Sequence, residues 1–185
     1  MTAVRWRIVA IGAAATLLLT LVSLVLVGIW SEGADGTGGN SEVGCTAPSL
    51  KGSVVRVTVT NMGPASTNGM MGTGAMSLRA DHATVSSGTV SFLVSNVGSR
   101  THELILLPLD GSALAGGRAL GGDSRVDESS SLGEASASCA AGGGDGILPG
   151  TSGWVTLTLA PGRYELLCNL PGHYAAGMYT QLTVN

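Results

Sequence analysis

Cys168-Asn169-Leu170-Pro171-Gly172-His173-Tyr174-Ala175-Ala176-Gly177-Met178 sets a thiol, an imidazole and a thioether at five-residue intervals on one short stretch of chain. Pro171-Gly172 marks a turn between them, so the three side chains can converge on one point. A thiolate and an imidazole with a weak thioether suit copper far better than the hard cations. Zinc is the rival, but its sites take Cys, His, Asp and Glu and hardly ever a thioether. Met178 therefore argues for copper. The set lacks one histidine, and only His82 and His102 remain to supply it. His102 is the better placed: it stands between Thr89-Val90-Ser91-Phe92-Leu93-Val94-Ser95-Asn96 and Glu103-Leu104-Ile105-Leu106-Leu107, two strand patterns.

The rest of the chain after Trp30 reads as short strands. Val54-Val55-Arg56-Val57-Thr58-Val59-Thr60 alternates β-branched and polar residues, the mark of a half-buried strand. Further candidates are Met76 to Ala80, Thr89 to Asn96, His102 to Leu107, Trp154 to Leu159, Arg163 to Cys168 and Met178 to Val184. Such a succession, with turn residues between, predicts an all-β sandwich or barrel. The stretch from Asp110 to Gly153, rich in Gly, Ser and Ala, is expected to be an extended surface loop with one short helix near Leu132-Gly133-Glu134-Ala135. The core should be aliphatic, because Phe92 is the only phenylalanine.

On these residues the chain resembles the cupredoxins, and most closely the sulfocyanin and rusticyanin-like branch, whose ligand loop has the form Cys-x4-His-x4-Met. Pro161 to Cys168 is similar to the family's turn and penultimate strand, and Met178 to Val184 to its last strand. The resemblance covers roughly residues 54 to 184. It implies a cupredoxin-like Greek-key β-sandwich or barrel that holds one type 1 copper through His102, Cys168, His173 and Met178. It implies electron entry and exit at the His173 edge, within a small apolar patch of Leu170, Pro171, Ala175, Ala176 and Gly177. Many cupredoxins carry an asparagine straight after the upstream histidine, tying the ligand loops together, whereas this chain has Glu103. A carboxylate facing the metal would stabilise Cu(II) and lower the potential.

The length of 185 residues allows one ordinary domain and an appendage. Ile8 to Trp30 is an uncharged apolar run of 23 residues, which at about 1.5 Å per residue matches a bilayer core of roughly 30 Å. Arg5 and Arg7 precede it, so the positive-inside preference leaves the N-terminus in the cytoplasm and everything after Trp30 outside. The expected organisation is a single-pass N-terminal membrane anchor over 1–30, a flexible Gly- and Ser-rich linker over 31–53 and a copper-binding domain over 54–185. The alternative is a signal peptide, cleaved to release a secreted protein. Signal h-regions are shorter, about 7 to 15 residues, and end at a small-x-small site that Glu32-Gly33-Ala34 does not provide.

Twelve acidic and seven basic residues follow Trp30, a net charge of 7 − 12 = −5, with Lys51 the single lysine. No basic stripe can form to neutralise phosphates, which argues against a nucleic-acid partner. Once Cys168 is assigned to metal, Cys45 and Cys139 remain. Outside the cell they form either a disulfide or two unpaired small residues. Met62, Met70, Met71 and Met76 make a methionine-rich stretch that is either a weak Cu(I)-binding segment or gap-filling core.

The functional expectation is an extracytoplasmic, membrane-tethered carrier of single electrons between respiratory-type donor and acceptor proteins. It is not an enzyme: three histidines cannot furnish a further catalytic copper centre, and Leu167 and Asn169 flank Cys168 where copper oxidases pair the cysteine with a histidine. The alternative is a copper-handling protein, a chaperone or resistance factor that uses the same site together with the methionine-rich stretch.

Overall fold

Alternation along the chain becomes a two-sheet sandwich in the computed structural model, which describes residues 45–62 and 75–185. The first strand, β1 (Ser53–Thr60), buries Val55, Val57 and Val59 and turns Arg56 and Thr58 outward. It pairs antiparallel with β2 (Ser77–Ala80) and parallel with β4 (Gly88–Asn96), after the two-residue β3 (Thr84–Val85). A four-stranded sheet results, in the order β2-β1-β4-β7, with β7 at Ser152–Leu159. The second sheet, β3-β9-β8-β5-β6, is built from β5 (Leu104–Leu109), β6 (Gly133–Ala135), β8 (Gly162–Leu167) and β9 (Tyr179–Val184) in addition to β3.

Between the sheets lies an aliphatic core. Val90, Phe92 and Val94 from β4 meet Leu104 and Leu106 from β5, Leu166 from β8 and Leu182 from β9, all almost wholly buried. Cys168 and Met178 belong to the same cluster, so two of the expected metal donors sit at the end of the core rather than on its surface.

Two expectations over 110–153 fail. The helix near Leu132 to Ala135 is instead strand β6, paired with β5 through Leu104↔Ala135, Ile105↔Glu134 and Leu106↔Gly133. Gly133 has φ +152°, far from helical values, and any side chain there would run into Leu157. Nor is the interval a surface loop throughout. Val126, Ala135, Ser136 and Ile147 are buried, and Ile147 exchanges both backbone hydrogen bonds with His102. Sequence periodicity misses such pieces because each is only one to three residues long, too short to show a period.

The flexible-linker reading fails at its C-terminal end. Cys45 is joined to Cys139 by a disulfide spanning 94 residues, with the two Cα atoms 5.0 Å apart. Residues 45–52 are therefore tied to the domain. Ser91, buried on the outward side of β4, donates its hydroxyl to the Lys51 carbonyl at 2.7 Å and lies 2.8 Å from Thr156 Oγ1. The chain thus runs back along the sheet before β1 begins. The anchor expected over 1–30 and the linker as far as residue 44 lie outside the described residues. Among the described residues no helix is long and apolar enough to cross a membrane.

Candidate metal centre

Three strand ends and one turn bring the donors together. Cys168 follows β8 directly, and the Pro171-Gly172 turn carries the chain back to His173. Gly172 has φ +80°, a left-handed conformation that glycine adopts without a Cβ penalty. The His173 N–H donates to the Leu170 carbonyl, and the Met178 N–H donates to the His173 carbonyl at 3.2 Å. The Cys168 N–H donates to the Met178 carbonyl at 3.0 Å, which closes the loop on itself. His102 arrives from the opposite side of the chain, just ahead of β5. Its backbone is held by Ile147, and the turn before it is shaped by Asn96, whose amide donates to the carbonyls of Arg100 and Ile147.

The outcome is a convergent cluster. His102 Nδ1 lies 3.3 Å from His173 Nδ1, and Cys168 Sγ lies 3.3 Å from the same nitrogen. The ligand atoms of His102, Cys168 and His173 all fall within 4.8 Å of one another, and all three residues are buried. Donors so spaced can share one ion at bond lengths of about 2.0–2.3 Å. A thiolate and two imidazoles so placed suit copper. Met178 is fully buried, with its backbone hydrogen-bonded to both Cys168 and His173, which puts it beside those two donors. His82 is exposed and hydrogen-bonds to Asp81, away from the cluster.

Electrostatics fit a site made to take a metal. Burial pushes the Cys168 thiol up to about 12, so without a metal it is held protonated. Burial, with smaller contributions from the neighbouring His173 and from Arg100, pulls His102 down to about 4, leaving its imidazole neutral and its lone pair available. His173 is lowered as well, first by burial and then by Arg100. A metal binds the thiolate form, so loading must release the thiol proton.

Glu103, where many cupredoxins have asparagine, does the tying in another way. Its carboxylate Oε1 accepts the Asn169 N–H at 3.0 Å, while its own N–H points at Cys168 Sγ at 3.4 Å. One residue thereby links the His102 loop to the Cys168 loop. Burial raises this carboxyl to about 7 against the opposing Asn169 N–H, with Glu134 and Glu128 adding to the rise. Asn169 extends the link, since its side chain pairs with the backbone of Val126 through both its oxygen and its nitrogen. Sequence reasoning passed over Asn169 and Asn96. Their signal was weak: each is an asparagine at a strand end, a common turn residue.

Solved structures similar to this chain include two auracyanins and a rusticyanin. A dithionite-reduced auracyanin from Roseiflexus castenholzii shares 20% identity over 74% of this chain and 98% of its own, with a TM-score of 0.45. Auracyanin A from Chloroflexus aurantiacus, described as a "blue" copper protein, shares 21% over 71% and 99%, with a TM-score of 0.42. Rusticyanin from Thiobacillus ferrooxidans shares 18% over 73% and 79%, with a TM-score of 0.43. No protein-family model and no curated protein matches the chain.

Around the cluster, the surface is a shallow depression in which His173 lies among Leu170, Pro171 and Pro149, with Arg100 the single charge. Ala175, Ala176 and Gly177 follow His173 closely in the chain, and all three are exposed. Of the methionine-rich stretch, Met62 is exposed and Met76 packs against the core, while Met70 and Met71 lie outside the described residues.

Proposed function

We propose that this protein is a cupredoxin-like electron carrier with one type 1 copper per chain, tethered to the outer side of the cell membrane and serving redox protein partners. The observation that carries this reading is the convergence of His102 Nδ1, Cys168 Sγ and His173 Nδ1 in a buried cluster next to Met178. Copper bound there supplies a one-electron Cu(II)/Cu(I) couple.

The chain's own residues do the rest. His102, Cys168, His173 and Met178 would hold the copper, a donor set of the kind found in electron-transfer copper sites. All four are buried, so the surrounding packing would limit how far either oxidation state could rearrange the site. Burial of His102 and Cys168 keeps water from the metal, and a set filled by protein leaves no open position for substrate. The Glu103 N–H aimed at Cys168 Sγ draws charge from the thiolate, one of the levers on potential. His173 alone among the donors lines the surface depression, so its ring is the short route for an electron to a partner. Brief redox encounters need only a small interface of this kind.

A visible spectrum of the Cu(II)-loaded protein tests the reading. One copper per chain and an intense thiolate-to-copper band are expected, and full loading without colour would refute the assignment. Met178→Leu would remove a weak thioether donor that favours the more oxidised state, so the blue colour should survive while the potential rises. Each tenfold loss of Cu(II) relative to Cu(I) affinity is worth about 59 mV for one electron. A rise on the order of one such step by voltammetry is expected, and loss of copper would show that the axial ligand is misassigned.

The tether is tested separately. A retained 1–30 anchor predicts that the protein stays with membranes through carbonate washing, with its copper domain open to protease from outside. A soluble chain beginning near Ser31 to Asp35 would mean that a signal peptide had been removed.

A further inference from the structure

Glu165 is an ionisable side chain with no exposed surface and no part in holding metal. It lies on β8 three residues before Cys168, on the side away from the main core. There a second apolar cluster, including Ile105, Leu107, Leu167 and Tyr174, covers the outer face of the five-stranded sheet.

All its side-chain hydrogen bonds go to two places. Oε2 accepts the Arg118 Nε–H at 2.6 Å, and Oε1 accepts the Gly116 N–H at 2.6 Å, so one set of bonds holds the loop after β5. The other bond is the Tyr174 hydroxyl donating to Oε1 at 2.9 Å, and Tyr174 directly follows His173. Arg118 closes the circuit by donating its backbone N–H to the Tyr174 oxygen at 3.1 Å and its guanidinium to the Pro108 carbonyl at 2.6 Å. The Tyr174 ring packs against that of Tyr179, the neighbour of Met178, with centroids 5.1 Å apart. Gly116, at φ +85°, lies so close to the Tyr179 ring that no side chain fits there.

A buried charge pair contributes little to stability by itself, since apolar replacements often serve as well, and a geometric role better accounts for one whose other bonds go to the Gly116 N–H on one loop and the Tyr174 hydroxyl on another. We propose that Glu165, Arg118 and Tyr174 form a clamp that fixes the ligand loop, and so the position of the His173 ring, from the outer face of the five-stranded sheet. These are positioning residues. The inference rests on the copper reading for its purpose, but not for its geometry.

The test compares Tyr174→Phe with wild type in the full chain. In metal-free protein, amide hydrogen exchange at Ala176, Gly177 and Met178, whose N–H groups donate to the carbonyls of Gly172, Tyr174 and His173, should accelerate at least about tenfold. Exchange in β1 and β4 should not change. In Cu(II)-loaded protein the thiolate-to-copper band should shift or broaden, and Cu(I) should pass to a chelator at least about tenfold faster. Glu165→Gln keeps an acceptor for Tyr174 but drops the ion pair, and should show the same pattern more weakly. Unchanged exchange at those three amides, or acceleration spread evenly over both sheets, would overturn the clamp. Because exchange is read without metal, a colourless wild type would sink the copper reading, whereas the exchange rates would still decide for or against the clamp.

Discussion

Cys168→Ser will yield a protein with no intense visible band at any copper loading. The band requires charge transfer from a thiolate, and a serine hydroxyl is neither soft nor ionised in a buried site. The substitution nearly preserves volume at a fully buried position, so the metal-free protein should still fold. Proton release gives a second readout. Because burial holds the Cys168 thiol protonated up to about 12, wild type should release a proton on loading at neutral pH, and its apparent affinity should rise about tenfold per pH unit as pH rises. Cys168→Ser should lose that dependence above the range where the histidines titrate. Retention of the blue band in this variant, measured by absorbance together with copper analysis, would show that Cys168 is not a ligand.

Removing the disulfide should produce the largest loss of stability. Cys45 and Cys139 close a loop of 94 residues, and cross-links of that length are worth about 2–5 kcal/mol, chiefly by restricting the unfolded chain. Cys45→Ser with Cys139→Ser should therefore lower the Tm on the order of 10 °C. The pair lies away from the copper donors in sequence and holds the 45–52 strap, so the visible spectrum should be unaffected. A Tm within about 2 °C of wild type would mean that the strap is held by its hydrogen bonds alone.

The β-strands and most of the copper site were legible because each depends on local chemistry. Alternation in β1 and the run Thr89 to Asn96 mark strands wherever one face is buried. Cys168, His173 and Met178 share one turn, so their spacing alone already suggested convergence. His102 was reachable because only two other histidines exist to compete, and the one remaining outside the loop, His82, does not lead straight into a strand run as His102 does into Glu103 to Leu107. Glu103 was singled out by position, but its use of a carboxylate to grip the Asn169 N–H could not be read, because the partner lies 66 residues on.

Composition and spacing, by themselves, determined the class of the fold, the chemistry of the donors and the net negative charge of the chain beyond Trp30. Tertiary structure alone decided how 110–153 is used. Gly133 to Ala135 becomes an edge strand because β5 offers it an unpaired edge, and Ile147 is buried because it pairs with the backbone of His102. Glu165 and Arg118 meet across 47 residues, a separation that no periodicity encodes. Local sequence carries the preference of each segment for strand or turn, but which side chains share a buried space is fixed only when distant segments close over it and every polar group left inside must find a partner.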